Sequence, residues 1–237
     1  MPVFNEVKSI PVVFDDWKKN VLDPIAGAIL IAVDDGSYDG SGPLLDEESV
    51  RDPRIRVIHQ RNEGHGRAVM AGYREALRLK AEHIAQCDSD GQFSASQFDL
   101  LWRQKDAALV RGRRGYRQDP LHRKIGMIIE RLSILLVFDR VVPDPNCGFR
   151  LMHGSFLDSA IPLIGPDDVA PNVEISVIAA RGSRSVRTVP VICRDRLFGV
   201  SNFPIAKYAR AGIRVIRELL ILRARLTVAD RSGELIQ

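Results

Sequence analysis

Asp88 and Asp90 stand one residue apart in the stretch CDSDGQF, directly after an apolar run and directly before a glycine. If a strand ends here in a turn, both carboxylates can face one ligand. Hard divalent cations take oxygen ligands, and Mg²⁺ in particular is held through one or two carboxylates plus phosphate oxygens. Gln92 would add a carbonyl oxygen. A solvated turn accounts as well for a D-x-D taken by itself, because Asp and Ser both favour turns. VDDGS, with Asp34 and Asp35, is a second acidic segment after an apolar run. RNEGHGRA (Arg61–Ala68) puts Gly64 and Gly66 at a turn into a helix, whose N–H groups suit a diphosphate. As plain turn glycines they would look the same.

The elements that must position these residues follow from periodicity. AGAILIAVDD is a continuous apolar run that ends in a loop, as a buried parallel strand does. RIRVIHQ (Arg54–Gln60) alternates and reads as a strand. Gly66–Ala81 has apolar residues at helical spacing and a basic end. HIAQC and Ala107–Arg114 read as strands, and Leu121–Phe138 as a helix with a basic entry and an apolar body. Asp144–Gly154 is a turn-rich stretch running into a short strand. Ala170–Ser183 reads as a helix closed by Gly182, and Ser185–Arg196 as a late strand. Strands alternating with helices predict an α/β fold with a mostly parallel sheet flanked by helices. In such sheets ligands bind outside the carboxyl ends of the strands. Both acidic segments fall there, so one crevice should hold both.

Composition narrows the class. The 237 residues carry a net charge of +4, and 45% are hydrophobic. Cys87, Cys147 and Cys193 are odd in number and far apart, without zinc or disulfide spacing, and read as reduced thiols in a cytosolic protein. No run reaches the roughly 20 apolar residues of a membrane span, and MPVFNEVKSI lacks the features of a signal peptide. The run RGRRGYRQDPLHRK suggests a nucleic-acid binder, but it lacks interleaved aromatic platforms. No nucleic-acid partner is expected.

MPVFNE, VDDGSYDGS, RNEGHGRAVMAGY, CDSDGQF, VRGRRGYRQD, DPNCGFRLM and RDRLFGVS follow one another in an order that resembles family 2 glycosyltransferases. The branch is the one similar to dolichyl-phosphate mannosyltransferases and bacterial polyprenyl-phosphate sugar transferases, and the resemblance runs from Met1 to about Ser201. It implies the GT-A type nucleotide-diphospho-sugar transferase fold, a UDP- or GDP-sugar donor, and Mg²⁺ or Mn²⁺. By the same resemblance Pro2, Phe4 and Glu6 hold the nucleoside, and Asp34 and Asp35 contact base and ribose. Asn62, Gly64 and Gly66 form the loop beside the nucleotide. Asp88, Asp90 and Gln92 take the metal and diphosphate. Arg113, Arg114 and Arg117 form a basic loop near the donor and acceptor phosphates, and Arg194, Arg196 and Ser201 meet an acceptor phosphate. Asp88, Asp90 and Arg113 are the expected catalytic residues.

The implied chemistry agrees with these residue types. Breaking a sugar–phosphate bond leaves new negative charge on a diphosphate, which a metal and arginines can stabilise. A lipid-phosphate acceptor is already anionic and needs no strong base; a hydroxyl acceptor would need a carboxylate such as Asp144 or Glu174. Glu174 could instead orient a loop or cap a helix. The expected function is inverting transfer of a sugar to a polyprenyl phosphate. The alternatives are a non-catalytic nucleotide-sugar-binding module and a transferase acting on a hydroxyl.

Two departures from the family pattern stand out. His65–Arg67 replaces the usual lysine of the glycine loop while keeping positive charge. The sequence also opens inside the PVFNE motif, where family members carry an apolar first strand, so the central strand is expected to be missing and an upstream apolar segment is expected to supply it. Residues 1–202 form the expected catalytic domain and 203–237 a C-terminal basic amphipathic helix and tail. In FPIAKYARAGIRVIRELLILRARL (Phe203–Leu226), Lys207, Arg210, Arg214 and Arg217 make one basic stripe. Tyr208, Ile216, Leu219 and Leu220 lie on the other side. Such a helix either covers the sheet or touches a membrane surface. The expected location is cytoplasmic, peripheral on the inner face of the cytoplasmic membrane.

Overall fold

The computed structural model describes residues 1–115, 121–182, 185–198 and 205–232, with backbone only at His122, Arg123, 205–209 and Ser232. Seven strands and their flanking helices alternate along the described chain. In order they are β1 (Pro2–Val3), α1 (Ile10–Trp17), β2 (Leu30–Asp34), α2 (Ser41–Arg51), β3 (Ile55–His59), α3 (His65–Arg78), β4 (His83–Gln86), α4 (Phe98–Trp102), β5 (Leu109–Arg114), α5 (Leu121–Phe138), β6 (Arg150–His153), α6 (Gly154–Ala160), α7 (Pro171–Arg181), β7 (Val186–Val191) and α8 (Ile205–Ser232). The strands form two sheets, β1-β2-β3 and β4-β6-β5-β7. β1, β2 and β3 are parallel, as are β5 and β7; only β6 runs against its neighbours β4 and β5. The expected α/β class with a mostly parallel sheet is what the chain adopts.

Apolar spacing explains the layers. α3 buries Val69, Met70, Tyr73 and Ala76, in successive turns, on one side of the strands. There they join Phe156, Val173, Ile175 and Ile178 of α6 and α7 and Leu219, Leu222 and Leu226 of α8. The other side is filled by Ile10, Phe14 and Trp17 of α1, Leu45 of α2, and Phe98 and Phe149. Removing a fully buried ring such as Phe14 would cost about 3–5 kcal/mol.

α8 packs along α5 and into the second of these cores. Leu219 is buried as its spacing predicts, but Leu220 is half exposed, because the buried stripe runs through positions 219, 222 and 226. Glu218 ties the helix down. Both its carboxylate oxygens accept the Val169 N–H (3.1 and 3.2 Å), and Arg214 donates to it at 3.1 Å. Arg210 and Arg217 are exposed.

The start of the chain answers one expectation in part. β1 exists, but as two residues, pairing Pro2 with Val33 and Val3 with Asp34. The Met1 ammonium donates to the Ile31 carbonyl at 2.8 Å. Below this short strand a cavity of about 330 Å³ separates β2 from β4, walled by Met1, Leu30, Ile31, Tyr73, Ile84 and Leu151 among others. β2 and β4 are not paired with each other, and the strands form two sheets.

Candidate active site

The loops after β1 and β2 are stitched together by backbone-to-side-chain bonds, and Arg196 joins the loop after β1 to the loop after β4. The Asn5 N–H donates to Ser37 Oγ (3.0 Å), the Glu6 N–H to Ser41 Oγ (2.9 Å) and the Tyr38 N–H to Asn5 Oδ1 (2.9 Å). Asn5 sits at φ 55°, a conformation that asparagine tolerates better than most residues. This stitching presents Phe4 and Tyr38 together as an exposed edge-to-face pair, 6.0 Å between centroids. Phe4 was expected at the nucleoside. Tyr38 was not, although its place in the glycine-rich stretch after β2 was the available signal.

Asp34 and Asp35 turn inward, both almost fully buried. Asp34 accepts the Ser37 N–H at 3.0 Å and faces His59 Nδ1 at 3.0 Å; His59 Nε2 lies 2.9 Å from Asp46. Bonds to Asp46 and Asp34 raise the His59 pKa. Asp35 accepts from the Glu63 and Gly64 N–H groups (2.9 Å each) and from Gln60 (2.7 Å). Asp35 therefore fixes the glycine loop, while Asp34 holds the turn after β2 and His59. Gly64, at φ +97°, starts α3 beside exposed Asn62. Gly66 is required by close approach: a Cβ there would lie 2.6 Å from the Val169 carbonyl oxygen and 2.7 Å from that of Asp168. Arg67 pairs with Glu63 and Asp167.

Asp88 and Asp90 lie past the end of β4, as the sequence places them. Asp90 is buried, its side chain 6% exposed, whereas Asp88 is 30% exposed. Burial, and then the neighbouring Asp88 charge, raise the Asp90 pKa, against the opposing effects of the Gln92 N–H and Arg196. The Gln92 N–H donates to Asp90 Oδ1 at 3.1 Å, while its side-chain amide donates to the Arg194 carbonyl at 3.2 Å. Arg196 reaches both Asp90 Oδ2 (3.3 Å) and Glu6 Oε1 (3.2 Å). Glu6, raised by burial, also accepts from Ser9 Oγ. Leu197 covers Gly91, which takes φ +72°.

A buried chain of amides supports Asp88 from behind. Gln86 Nε2 donates to Asp88 Oδ1 (3.0 Å), Asn172 Nδ2 donates to Gln86 Oε1 (2.8 Å), and the Tyr73 hydroxyl donates to Asn172 Oδ1 (2.9 Å). Sequence reading did not single out these three; Gln86, inside an otherwise apolar strand, was the available cue. Gly148 closes the other side, because a Cβ there would lie 2.7 Å from Asp88 Oδ2.

The basic strand end is divided. Arg113 is exposed at the end of β5. Arg114 is held by Asp144, which accepts from its N–H and Nε at 2.9 Å and also contacts its Nη2. Burial opposes ionisation of Asp144, but these bonds outweigh it and keep its pKa below the usual range. Arg114 is thus committed inside the protein, and Asp144 with it. Glu174 is buried in the first turn of α7 with neither carboxylate oxygen hydrogen-bonded. Burial, then Asp168 and Glu218, push its pKa to about 9. It makes no cap bond to its helix. Arg117 and Ser201 lie outside the described residues.

An oxygen-ligand pair at a strand end, a glycine loop opening a helix and an exposed aromatic pair are chemically suited to an anionic ligand accompanied by a cation. Comparison with known proteins identifies the family and the fold. The undecaprenyl-phosphate mannosyltransferase of Micrococcus luteus is 26% identical over 239 residues, covering 95% of this chain and 97% of that protein. The polyprenol monophosphomannose synthase of Mycolicibacterium smegmatis is 25% identical over 212 residues, covering 85% and 78%. A crystal structure of glucosyl-3-phosphoglycerate synthase from Mycobacterium tuberculosis, in complex with Mn²⁺, uridine-diphosphate and phosphoglyceric acid, shares the fold. Its TM-score is 0.69 at 18% identity, over 94% of this chain and 76% of that one. Residues 1–158, two thirds of the chain, match the family model of Glycosyl transferase family 2, and the protein belongs to that family as a glycosyltransferase.

Proposed function

We propose that this glycosyltransferase moves a sugar from a UDP- or GDP-sugar to the phosphate of a polyprenyl carrier at a bilayer surface, with inversion and with Mg²⁺ or Mn²⁺. The observation that carries the acceptor class is the outer face of α5. Leu121, Ile125, Ile128, Ile129, Leu132 and Leu136 are all exposed. At about 3.6 residues per turn they share roughly a third of the helix circumference. α5 follows the basic end of β5 in the chain, and its half-buried Glu130 interacts with Arg114. An apolar ridge beside a phosphate-binding strand end suits a lipid whose headgroup must be reached from the membrane surface. Among the described residues no helix is long and apolar enough to cross a membrane. This reading moves the expected membrane contact from the basic stripe of α8 to α5.

The aspartate loop fits a divalent cation. Asp88 and Asp90 offer hard oxygen ligands, and Asp90 already accepts a cationic partner in Arg196. The close packing of Gly148 leaves Asp88 without a side-chain neighbour on that side. When bound, the cation supplies Lewis-acid stabilisation of the departing diphosphate. The chain's own residues do the rest. Phe4 and Tyr38 offer aromatic surface to the base, and the α3 N-terminus beside Asn62, Gly64 and Gly66 faces the diphosphate. Arg113 and Arg196, with Arg194, supply positive charge where the acceptor phosphate approaches. Arg117 and Ser201 keep the acceptor role that the sequence suggests for them. Attack by the phosphate oxygen opposite the leaving group inverts the anomeric centre. Asp144 is engaged by Arg114, and burial raises the Glu174 pKa to about 9, which disfavours both as bases toward a hydroxyl acceptor.

The decisive assay supplies UDP- and GDP-sugars with Mg²⁺ or Mn²⁺ and either undecaprenyl phosphate in vesicles or soluble hydroxyl acceptors. Lipid-linked sugar formed only with a divalent cation supports the proposal. Transfer confined to hydroxyl acceptors, or donor binding without transfer to any acceptor, refutes it.

A further inference from the structure

One group of metal-ligating side chains lies outside the machinery proposed above. β4 and β6 run antiparallel with His83 directly opposite His153, and Glu82 precedes His83. One ligand atom from each of the three lies within 4.8 Å of the others. The two imidazoles meet edge to face, 5.4 Å between centroids. Their backbones are fixed by the strand ladder and by the Gly154 N–H, which donates to the Glu82 carbonyl at 2.7 Å. Gly154 allows that approach, since a Cβ there would lie 2.2 Å from the Ala81 carbonyl oxygen.

The side chains are also set for ligation. His153 Nδ1 lies 2.9 Å from Ser155 Oγ. The same Nδ1 accepts the Ser155 N–H at 3.4 Å as the cap of α6, so the ring is held through Nδ1, and a metal would take Nε2 with loss of its proton. His83 is braced by Trp102 at 5.3 Å. His83 and Asp88 lie at opposite ends of β4, roughly 15 Å apart at about 3.3 Å per residue.

We propose that Glu82, His83 and His153 form a second metal site, for a transition ion such as Zn²⁺, separate from the aspartate loop. Two imidazoles and one carboxylate suit Zn²⁺ and leave a fourth position for water, whereas Mg²⁺ prefers oxygen ligands alone. The ion would clamp β4 to β6 at the wall of the cavity, which Glu82 and His83 both line. Because it binds the folded chain, it would stabilise that chain by mass action.

The test uses the untagged full chain carrying Asp88→Asn and Asp90→Asn, so that the aspartate loop does not compete. Calorimetric titration with Zn²⁺ should show one ion per chain with a Kd of about 10 µM or tighter. Co²⁺ should give visible absorption of four-coordinate geometry, and Mg²⁺ no heat. His83→Ala and His153→Ala should each weaken Zn²⁺ binding about tenfold or more, and Glu82→Gln less. Melting curves without metal establish that the variants fold, with His83→Gln and His153→Gln replacing any alanine variant that does not. Absence of Zn²⁺ binding, or binding undiminished when both histidines are replaced, would overturn the site.

Discussion

Arg196 Nη2 lies 3.3 Å from Asp90 Oδ2, so a guanidinium occupies the side of Asp90 that the proposed cation needs. The pair brings the loop after β7 onto the loop after β4, and the Leu197 N–H reinforces it by donating to the Asp90 carbonyl at 3.2 Å. Cation binding must share or displace this contact. Arg196→Ala should therefore tighten Mn²⁺ binding about two- to fivefold, the scale of a partly exposed ion pair, while lowering kcat/KM through loss of charge near the phosphates. Calorimetry and kinetics on the one variant check both halves; weaker Mn²⁺ binding would contradict the competition.

Asp90→Ala should lower turnover by on the order of a thousandfold or more, with the fold retained. Steady-state assays over a range of Mn²⁺ and Mg²⁺ concentrations check this. Near-normal turnover would remove Asp90 from the metal set.

The amide chain behind Asp88 should act through metal affinity. Gln86→Leu removes the donor to Asp88 and leaves the Asn172 amide unpaired in the core. The expected cost is about 1–3 kcal/mol of stability and a 10- to 100-fold weaker Mn²⁺ affinity. Gly148→Ala should leave stability nearly unchanged yet shift Asp88, cutting turnover about tenfold or more, because its Cβ would meet the movable end of that side chain. Denaturation curves beside Mn²⁺ titrations separate the two effects.

Much of this architecture was legible in the sequence, and its gaps have physical causes. The apolar run into Asp34, the helical spacing of Val69, Met70 and Tyr73, and the limits of α5 follow from periodicity, which burial enforces. The reversal of β6 was not legible, because a strand's residue pattern does not encode its direction. α2 escaped because SGPLLDEESVR opens with Gly and Pro and buries few side chains. The aspartates of the site were placed correctly along the chain, but their partners come from far away in sequence. Asp144 captures Arg114 thirty residues distant, and Asp35 spends both oxygens on the glycine loop. Spacing reports where a side chain is mounted; what it bonds to depends on tertiary packing.

Glu174 makes stability depend on pH. Its pKa is about 9 in the folded chain against an ordinary value of 4.5. Above pH 4.5 the unfolded chain loses this proton while the folded chain keeps it, so the group's contribution falls as pH rises toward 9. Glu174→Gln should remove that loss, raising stability by about 1–3 kcal/mol at pH 8 with little gain at pH 4. Chemical denaturation at several pH values checks the slope; a gain independent of pH would contradict the protonated carboxyl.

The outer face of α5 predicts vesicle binding. Ile128→Glu with Leu132→Glu should abolish co-sedimentation with anionic vesicles while leaving the melting temperature within a few degrees, because both side chains are about half exposed. Undiminished sedimentation would place the membrane contact elsewhere.

The Val169 N–H donates to Glu218, and Val169 and Asp168 pack against Gly66, so α8 is linked to the glycine loop. Three segments distant in sequence are clamped end to end: a turn of α8, the loop before α7, and the first turn of α3. None of these joints is elastic. One is a charged bond to backbone, and the other is backbone against a glycine with no side chain to yield. The position of the glycine loop is therefore tied, through two packed joints, to a helix more than a hundred residues away in sequence.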